Sequence, residues 1–296
     1  MKRILAVLAV AAGLILSTAL AAAPASAAPA TGSTAAVPAS APAAVTITAV
    51  QSSLAITTAR VTVTAEGRSF SARLVQPAAA APGGYPVVAF GHGFVQSSSR
   101  YTSTLEGLAA RGYVVIAPDS EAGLFPNHSR FADDLWRAIA WVRATQPNAS
   151  QTLGAVAGHS MGGGAALIAA DRHPELQAVA TEAAAETNPS ATTASAGIAV
   201  PALYVVGSAD GVVSPASTRG MYNAKPSPAT LATITGGYHC GFVDSSSFFG
   251  IGCDRGQISR STQLPIAAAL LGNWFDHVLK GAPTASVPAG VVVEST

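Results

Sequence analysis

The chain has 296 residues, a formal net charge of +1 and only 10% charged residues, while 49% are hydrophobic. A near-neutral chain without a basic cluster argues against nucleic acid as a partner. Its length suits one large domain once the terminal segments are set aside.

Met1-Lys2-Arg3 supplies a positive start, Ile4 to Leu20 an apolar run, and Ala25-Ser26-Ala27 a small-residue A-x-A cleavage site. This reads as a secretory signal peptide over residues 1–27 rather than an anchor, with a cut after Ala23 as the alternative. No later segment reaches the roughly 18 uncharged apolar residues of a transmembrane helix, so a soluble, secreted protein is expected. Residues 28–44 are almost only Ala, Pro, Ser and Thr. Such a stretch has too little bulky apolar surface to offset its ordering entropy, and a disordered leader is expected. Residues 45–296 then form the folded domain.

Arg60 to Val63 and Ser69 to Val75 have strand composition, joined by a turn at Glu66-Gly67. Tyr85 to Phe90 is the next strand, running into Gly91-His92-Gly93. Thr102 to Ala110 reads as a helix closed by Arg111-Gly112, and Tyr113 to Ala117 as a buried strand stopped by Pro118-Asp119. Ser129 is a suitable cap for a helix from Arg130 to about Thr145, with Asp133 and Asp134 early and Arg143 late, as the helix dipole favours. Phe131, Leu135, Ile139 and Val142 mark its inner face.

Leu153 to Ala157 is a short apolar strand, and Gly163 to Arg172 a small-residue helix. Leu176 to Ala180, Pro201 to Val206 and Leu231 to Ile234 continue the strands, and a helix from about Thr262 to Lys280 ends at Gly281. Alternating strands and helices imply a mostly parallel central sheet with helices on both faces. The link between the strands near Ala178 and Leu203 is about 20 residues, too short for a large lid domain.

Between the Leu153 strand and the Gly163 helix stands Gly158-His159-Ser160-Met161-Gly162, which fits G-x-S-x-G. That pentapeptide is a nucleophile elbow when it joins a strand to a helix, and these flanks supply that context. A serine hydroxyl is a weak nucleophile until a base removes its proton and an acid orients the base. Asp210, just past the Leu203 strand, is the expected acid; Glu182 and Glu186 are its competitors. Of the six histidines, His239 falls past the next strand and before the last helix, where the base is needed. His159 is expected to line the cleft, His92 to shape the turn, His128 to lie in a loop, and His173 and His277 at helix ends or the surface. Oxyanion donors are expected from the backbone N–H of Met161 and from the loop after Phe90, with Phe94 chosen and Gly93 or Val95 as alternatives.

Two cysteines, Cys240 and Cys253, favour a disulfide in an oxidising setting, with a free thiol pair as the alternative. Closing that loop contributes about 3 kcal/mol in the chain-entropy model. Two Cys and one adjacent His fall short of a four-ligand metal set.

Several of these segments resemble the secreted bacterial cutinase-like polyester hydrolases, within the dienelactone-hydrolase-like α/β-hydrolases. Gly158-His159-Ser160-Met161-Gly162-Gly163-Gly164 is similar to their elbow, and Gly93-Phe94-Val95-Gln96-Ser97-Ser98-Ser99 to their oxyanion loop. Asn127-His128-Ser129-Arg130 before a helix, and Val200-Pro201-Ala202-Leu203 through Asp210-Gly211-Val212-Val213-Ser214-Pro215, also match in layout. The similarity runs from about Arg60 to Gly281. It implies an α/β-hydrolase fold and a serine esterase; no cofactor or metal is expected, and a monomer is expected. Ser160 is then the nucleophile, Asp210 the acid, His239 the base, and Phe94 and Met161 the oxyanion donors. A small-molecule or carbohydrate acyl esterase is the alternative within enzymes, and a non-catalytic binding protein on the same scaffold is the remote one.

Overall fold

The computed structural model describes residues 53–245 and 253–296. The expected signal peptide and leader lie outside the described residues. A β-hairpin opens the domain, with β1 (Ile56–Ala65) antiparallel to β2 (Arg68–Pro77) and Ala65 opposite Arg68. Glu66 and Gly67 link them with φ of 51° and 73°. Positive φ at both central residues is what a tight two-residue hairpin turn requires.

The parallel core follows: β3 (Tyr85–Gly91), β4 (Val114–Pro118), β5 (Ala149–His159), β6 (Ala178–Glu182), β7 (Ala202–Gly207) and β8 (Ala229–Ile234). A last strand, β9 (Val291–Ser295), runs antiparallel to β8. Among the described residues the strands form one sheet in the order β1-β2-β4-β3-β5-β6-β7-β8-β9.

Side chains on the parallel strands alternate between two apolar layers. Val87, Ala89, Val114, Ile116 and Val156 face one layer; Val88, Phe90, Val115, Ala117 and Ala157 face the other. The first layer is completed by α2 (His128–Thr145), α3 (Met161–Arg172), α4 (Ala191–Gly197) and α5 (Pro215–Ala224). The second is completed by α1 (Thr102–Ala110) and α6 (Arg260–Lys280). Both faces of the sheet are therefore covered, which is why its strands read as continuous apolar runs. Each large apolar side chain buried there contributes roughly 1.5–3 kcal/mol relative to exposure.

Phe131, Leu135, Ile139 and Val142 are all buried, as their helical spacing implies. The start of α2 differs from expectation. Asn127, not Ser129, is the cap, its side chain accepting from Arg130 N–H at 2.9 Å. Asp133 and Asp134 lie beyond the first turn and serve as ion-pair partners, to Arg172 at 2.8 Å and Arg68 at 2.7 Å. Asp134 is fully buried, so Arg68 supplies the charge-assisted hydrogen bonds that its burial demands.

Residues 183–201, between β6 and β7, hold only the short α4. No large lid is inserted there. Among the described residues no helix is long and apolar enough to cross a membrane. The topology is that of an α/β-hydrolase fold.

Candidate active site

The elbow sits where β5 ends at His159 and α3 begins at Met161. Ser160 between them has φ 56° and ψ −122°, a strained backbone for a residue with a β-carbon. Its surroundings hold it there. Ser160 N–H donates to Glu182 O at 2.9 Å, while Ser160 O accepts from Gly164 N–H at 3.1 Å and Ala185 N–H at 2.9 Å. Gly158 and Gly162 are needed because neighbouring backbone presses on both: a β-carbon on Gly158 would lie 2.8 Å from Gly91 O, and one on Gly162 2.6 Å from His92 O.

Asp210 follows β7 in a turn whose N–H groups it caps itself. Its Oδ1 accepts from Val212 N–H at 2.9 Å and Val213 N–H at 2.8 Å. The other oxygen, Oδ2, is 2.9 Å from His239 Nδ1. His239 lies in a 3-10 turn after β8, and its Nε2 is 2.9 Å from Ser160 Oγ. The three side chains thus form one continuous hydrogen-bonded line from three different strand ends. All three are buried, so solvent screens the line poorly. The competitors are placed elsewhere: Glu186 accepts from Thr192 Oγ1 at 2.6 Å near the start of α4, and the Glu182 carboxyl meets no hydrogen-bond partner among the described residues.

Met161 is the first residue of α3, and a helix's first N–H groups have no acceptor within the helix. The facing loop carries Phe94 and Val95 at the centre of a turn closed by Gln96 N–H donating to Gly93 O at 3.2 Å. Val95 has φ 52°, a costly setting for a β-branched residue. Tyr101, at the start of α1, ties this loop to the elbow. Its hydroxyl accepts Gly93 N–H at 2.8 Å and stands 2.9 Å from Gln96 Oε1 and 3.0 Å from His159 Nδ1. If the phenol proton goes to Gln96, the oxygen accepts from both Gly93 N–H and His159 Nδ1–H, and its capacity is filled.

His159 corrects the sequence expectation. It does not line the cleft but lies fully buried beneath it, with its ring 4.5 Å from that of His239. Burial, with the neighbouring His239 second, holds its pKa well below the usual histidine range. It therefore stays neutral and brings no second cation against an imidazolium at His239. His128 begins α2 rather than lying in a loop and accepts Asn188 N–H at Nδ1, 3.1 Å away. His92 is buried between Gly93 O at 2.8 Å and Ser120 O at 3.0 Å, so it does shape the turn. His173 caps the end of α3 and stacks on Trp136, and His277 lies in the last turn of α6.

Glu182 pairs in register with His159 across β5 and β6, and both its carboxyl oxygens are buried without a partner among the described residues. Burial pushes its pKa up to about 8. The folded protein therefore keeps a proton that the unfolded chain releases near pH 4.5. The stability from the neutral acid is fully present below that pH and is lost as pH rises through about 8. Glu182→Gln, which cannot ionise, is expected to gain in melting temperature relative to the parent between pH 5 and 9. The expected gain is on the order of a few kcal/mol, read by thermal denaturation across that range. A difference that stays constant with pH would refute it.

Three residues that sequence reasoning passed over complete the site: Tyr101, Gln263 and Asp254. Gln263, from α6, clamps the residue before His239, with Oε1 accepting Tyr238 N–H and Nε2 donating to Tyr238 O, both at 2.8 Å. Asp254 follows Cys253, which is bonded to Cys240 as the sequence suggested. Its oxygens accept His239 N–H at 3.0 Å, Cys240 N–H at 3.0 Å and Gly211 N–H at 2.8 Å.

Comparison with known proteins bears on this arrangement. A chlorophyllase-1 of Arabidopsis thaliana is 34% identical over 98 residues, 31% of this chain, and the chain spans only 30% of that protein's length. The family model described as PET hydrolase-like matches residues 30–248, which include the strand, elbow and helix around Ser160 as well as Asp210 and His239. In keeping with the resemblance read from its elbow and oxyanion loop, this chain belongs to the PET hydrolase-like family.

Proposed function

We propose that the protein is a secreted serine esterase that cleaves carboxylic esters, polyester chains among them, through an acyl-enzyme. Ser160 Oγ attacks the ester carbonyl while His239 Nε2 takes its proton. Asp210 holds the imidazole by Nδ1 and stabilises the imidazolium that forms. The oxyanion accepts hydrogen bonds from the N–H groups of Met161 and Phe94, donors set in place before the charge develops. Collapse of the tetrahedral intermediate breaks the ester C–O bond, and His239 returns its proton to the leaving alcohol. Water then adds to the acyl-enzyme with His239 again as base, and the acid departs as Ser160 recovers its proton.

The observation that carries this reading is the unbroken Ser160–His239–Asp210 line, two contacts of 2.9 Å each, in a chain of the PET hydrolase-like family. The A-x-A segment ending at Ala27, together with the Cys240–Cys253 disulfide, supports export. Phe94, Val95 and Val212 leave about half of their surface exposed on loops at the carboxyl ends of β3 and β7. An apolar rim of this kind favours apolar ester chains over sugar esters.

The test compares p-nitrophenyl acetate, butyrate and palmitate, an acetylated xylan and a polyester film. Ready hydrolysis of the short synthetic esters and release of soluble fragments from the film are the expected results. Deacetylation of xylan with no attack on the film would favour the carbohydrate esterase reading instead.

A further inference from the structure

Asp210 and His239 belong to different loops, one after β7 and one after β8. Their side chains meet at Nδ1, and where the loops leave the sheet Ala209 N–H donates to Gly237 O and Gly236 N–H to Ser208 Oγ, both at 2.8 Å; these bonds precede Asp210 and His239 and leave the stretch beyond them to be tied separately. The backbone of both loops converges on one carboxylate. Asp254 Oδ2 accepts from Gly211 N–H, the residue after the acid, and from the N–H of His239 itself; Oδ1 accepts from Cys240 N–H. We infer that Asp254 is a positioning residue, which sets the acid loop against the base loop by holding Gly211, His239 and Cys240 together. This inference rests on the triad reading given above.

The covalent frame fits that role. Asp254 is joined to the base loop through the Cys253–Cys240 disulfide, so its carboxylate is delivered to the N–H of the bonded Cys240 and of its neighbour His239. Three N–H donors are more than one neutral side chain can satisfy with equal geometry, because an amide offers one oxygen and a carboxylate two. Burial alone would raise the pKa of Asp254, yet these backbone donors outweigh it and keep the carboxyl below the usual aspartate range. Gln263 fixes Tyr238 from the other side. Those side-chain bonds stop at Tyr238, whereas Asp254 joins the residue after the acid to the backbone of His239 and Cys240. The charged or titratable groups facing His239 are then Asp210 and His159 by contact, Asp254 through the backbone, and Arg260, whose Nε donates to Cys240 O at 3.1 Å.

The experiment is a comparison of Asp254→Asn and Asp254→Ala with the parent full-length chain on p-nitrophenyl butyrate. Melting temperature, kcat, KM and the pH profile of kcat/KM are measured well below each melting point. For Asp254→Ala, kcat is expected to fall about 10- to 100-fold with KM within about twofold, the pattern of a lost transition-state arrangement. The acid limb of kcat/KM is expected to move to lower pH, since a displaced Asp210 stabilises imidazolium less. Asp254→Asn, which keeps one acceptor, should fall between the two in both readouts. Folded variants with parental kcat and an unmoved acid limb would overturn the proposal. So would loss of fold in both variants, which would make Asp254 a stability residue, or a rise in KM at constant kcat. Ser160→Ala separates this failure from that of the triad: if it is inactive while the Asp254 variants match the parent, only the positioning role is lost. If Ser160→Ala remains active, the triad reading itself fails.

Discussion

Ser160→Ala is expected to lower kcat by about 10⁴-fold or more and to abolish covalent labelling by an organophosphate, with the fold intact. Alanine removes the one atom that His239 Nε2 contacts at 2.9 Å and leaves the elbow backbone, with its bonds to Glu182 and Ala185, unchanged. Asp210→Asn is expected to reach a similar loss, about 10⁴-fold, by a different route. The asparagine oxygen can still accept from Val212 and Val213, so its amide nitrogen is turned toward His239 Nδ1. A donor facing Nδ1 selects the tautomer with its proton on Nε2, which cannot accept the proton of Ser160. The two residues act as one unit, so the double variant should be little worse than Ser160→Ala alone. Steady-state kinetics and mass spectrometry of the labelled protein read both results. Full esterase activity in Ser160→Ala would remove this serine from the mechanism.

Much of the framework could be read from the residues because the parallel strands are buried on both faces. Val87 to Phe90 and Leu203 to Val206 are continuous apolar runs for that reason, and so stand out without any alternation. The elbow was legible because its chemistry is local: strand, strained serine and helix are adjacent in sequence. Asp210 and His239 could be proposed from their places after strands, and their side chains do meet Ser160 in the structure. What escaped depends on chain segments distant from one another. Tyr101 lies 58 residues from His159, and at a helix start an aromatic residue reads as core. Asp254 acquires its role only through the disulfide, and an isolated aspartate between a cysteine and an arginine carries no pattern. Asn127 and Ser129 are both good caps two positions apart, and only the path of the chain into α2 selects the first. The segment Ala191–Gly197 forms a helix from small residues, capped by Ser190, without the apolar periodicity that marks the others. Glu182 looked like an alternative acid because its place after a strand is right, while its burial could not be seen.

Gly162→Ala is expected to destabilise the fold by about 3 kcal/mol or more, at the upper end of overpacking effects, and to lower the activity of whatever folds. Gly91, Gly158 and Gly162 pack backbone to backbone where β3, β5 and α3 meet. A β-carbon on Gly162 would press into Gly91 O and lie 2.6 Å from His92 O, and one on Gly91 would lie 2.9 Å from Gly162 Cα. No flexible side chain stands in the way that could turn aside; the atoms met are peptide groups of the central sheet and its loop. Relief therefore requires the elbow and the loop after β3 to move apart. That loop carries Phe94, and the elbow carries Met161, so the movement separates the two proposed oxyanion donors. Gly107→Ala in α1 is the contrasting case. No atom lies within 4 Å of its added β-carbon, and the change should stabilise by about 0.5–1 kcal/mol through helix propensity. Urea denaturation of the two variants, with kcat for each, tests the pair. Equal small effects at both positions would mean that the glycines of the elbow are not held by close packing at all.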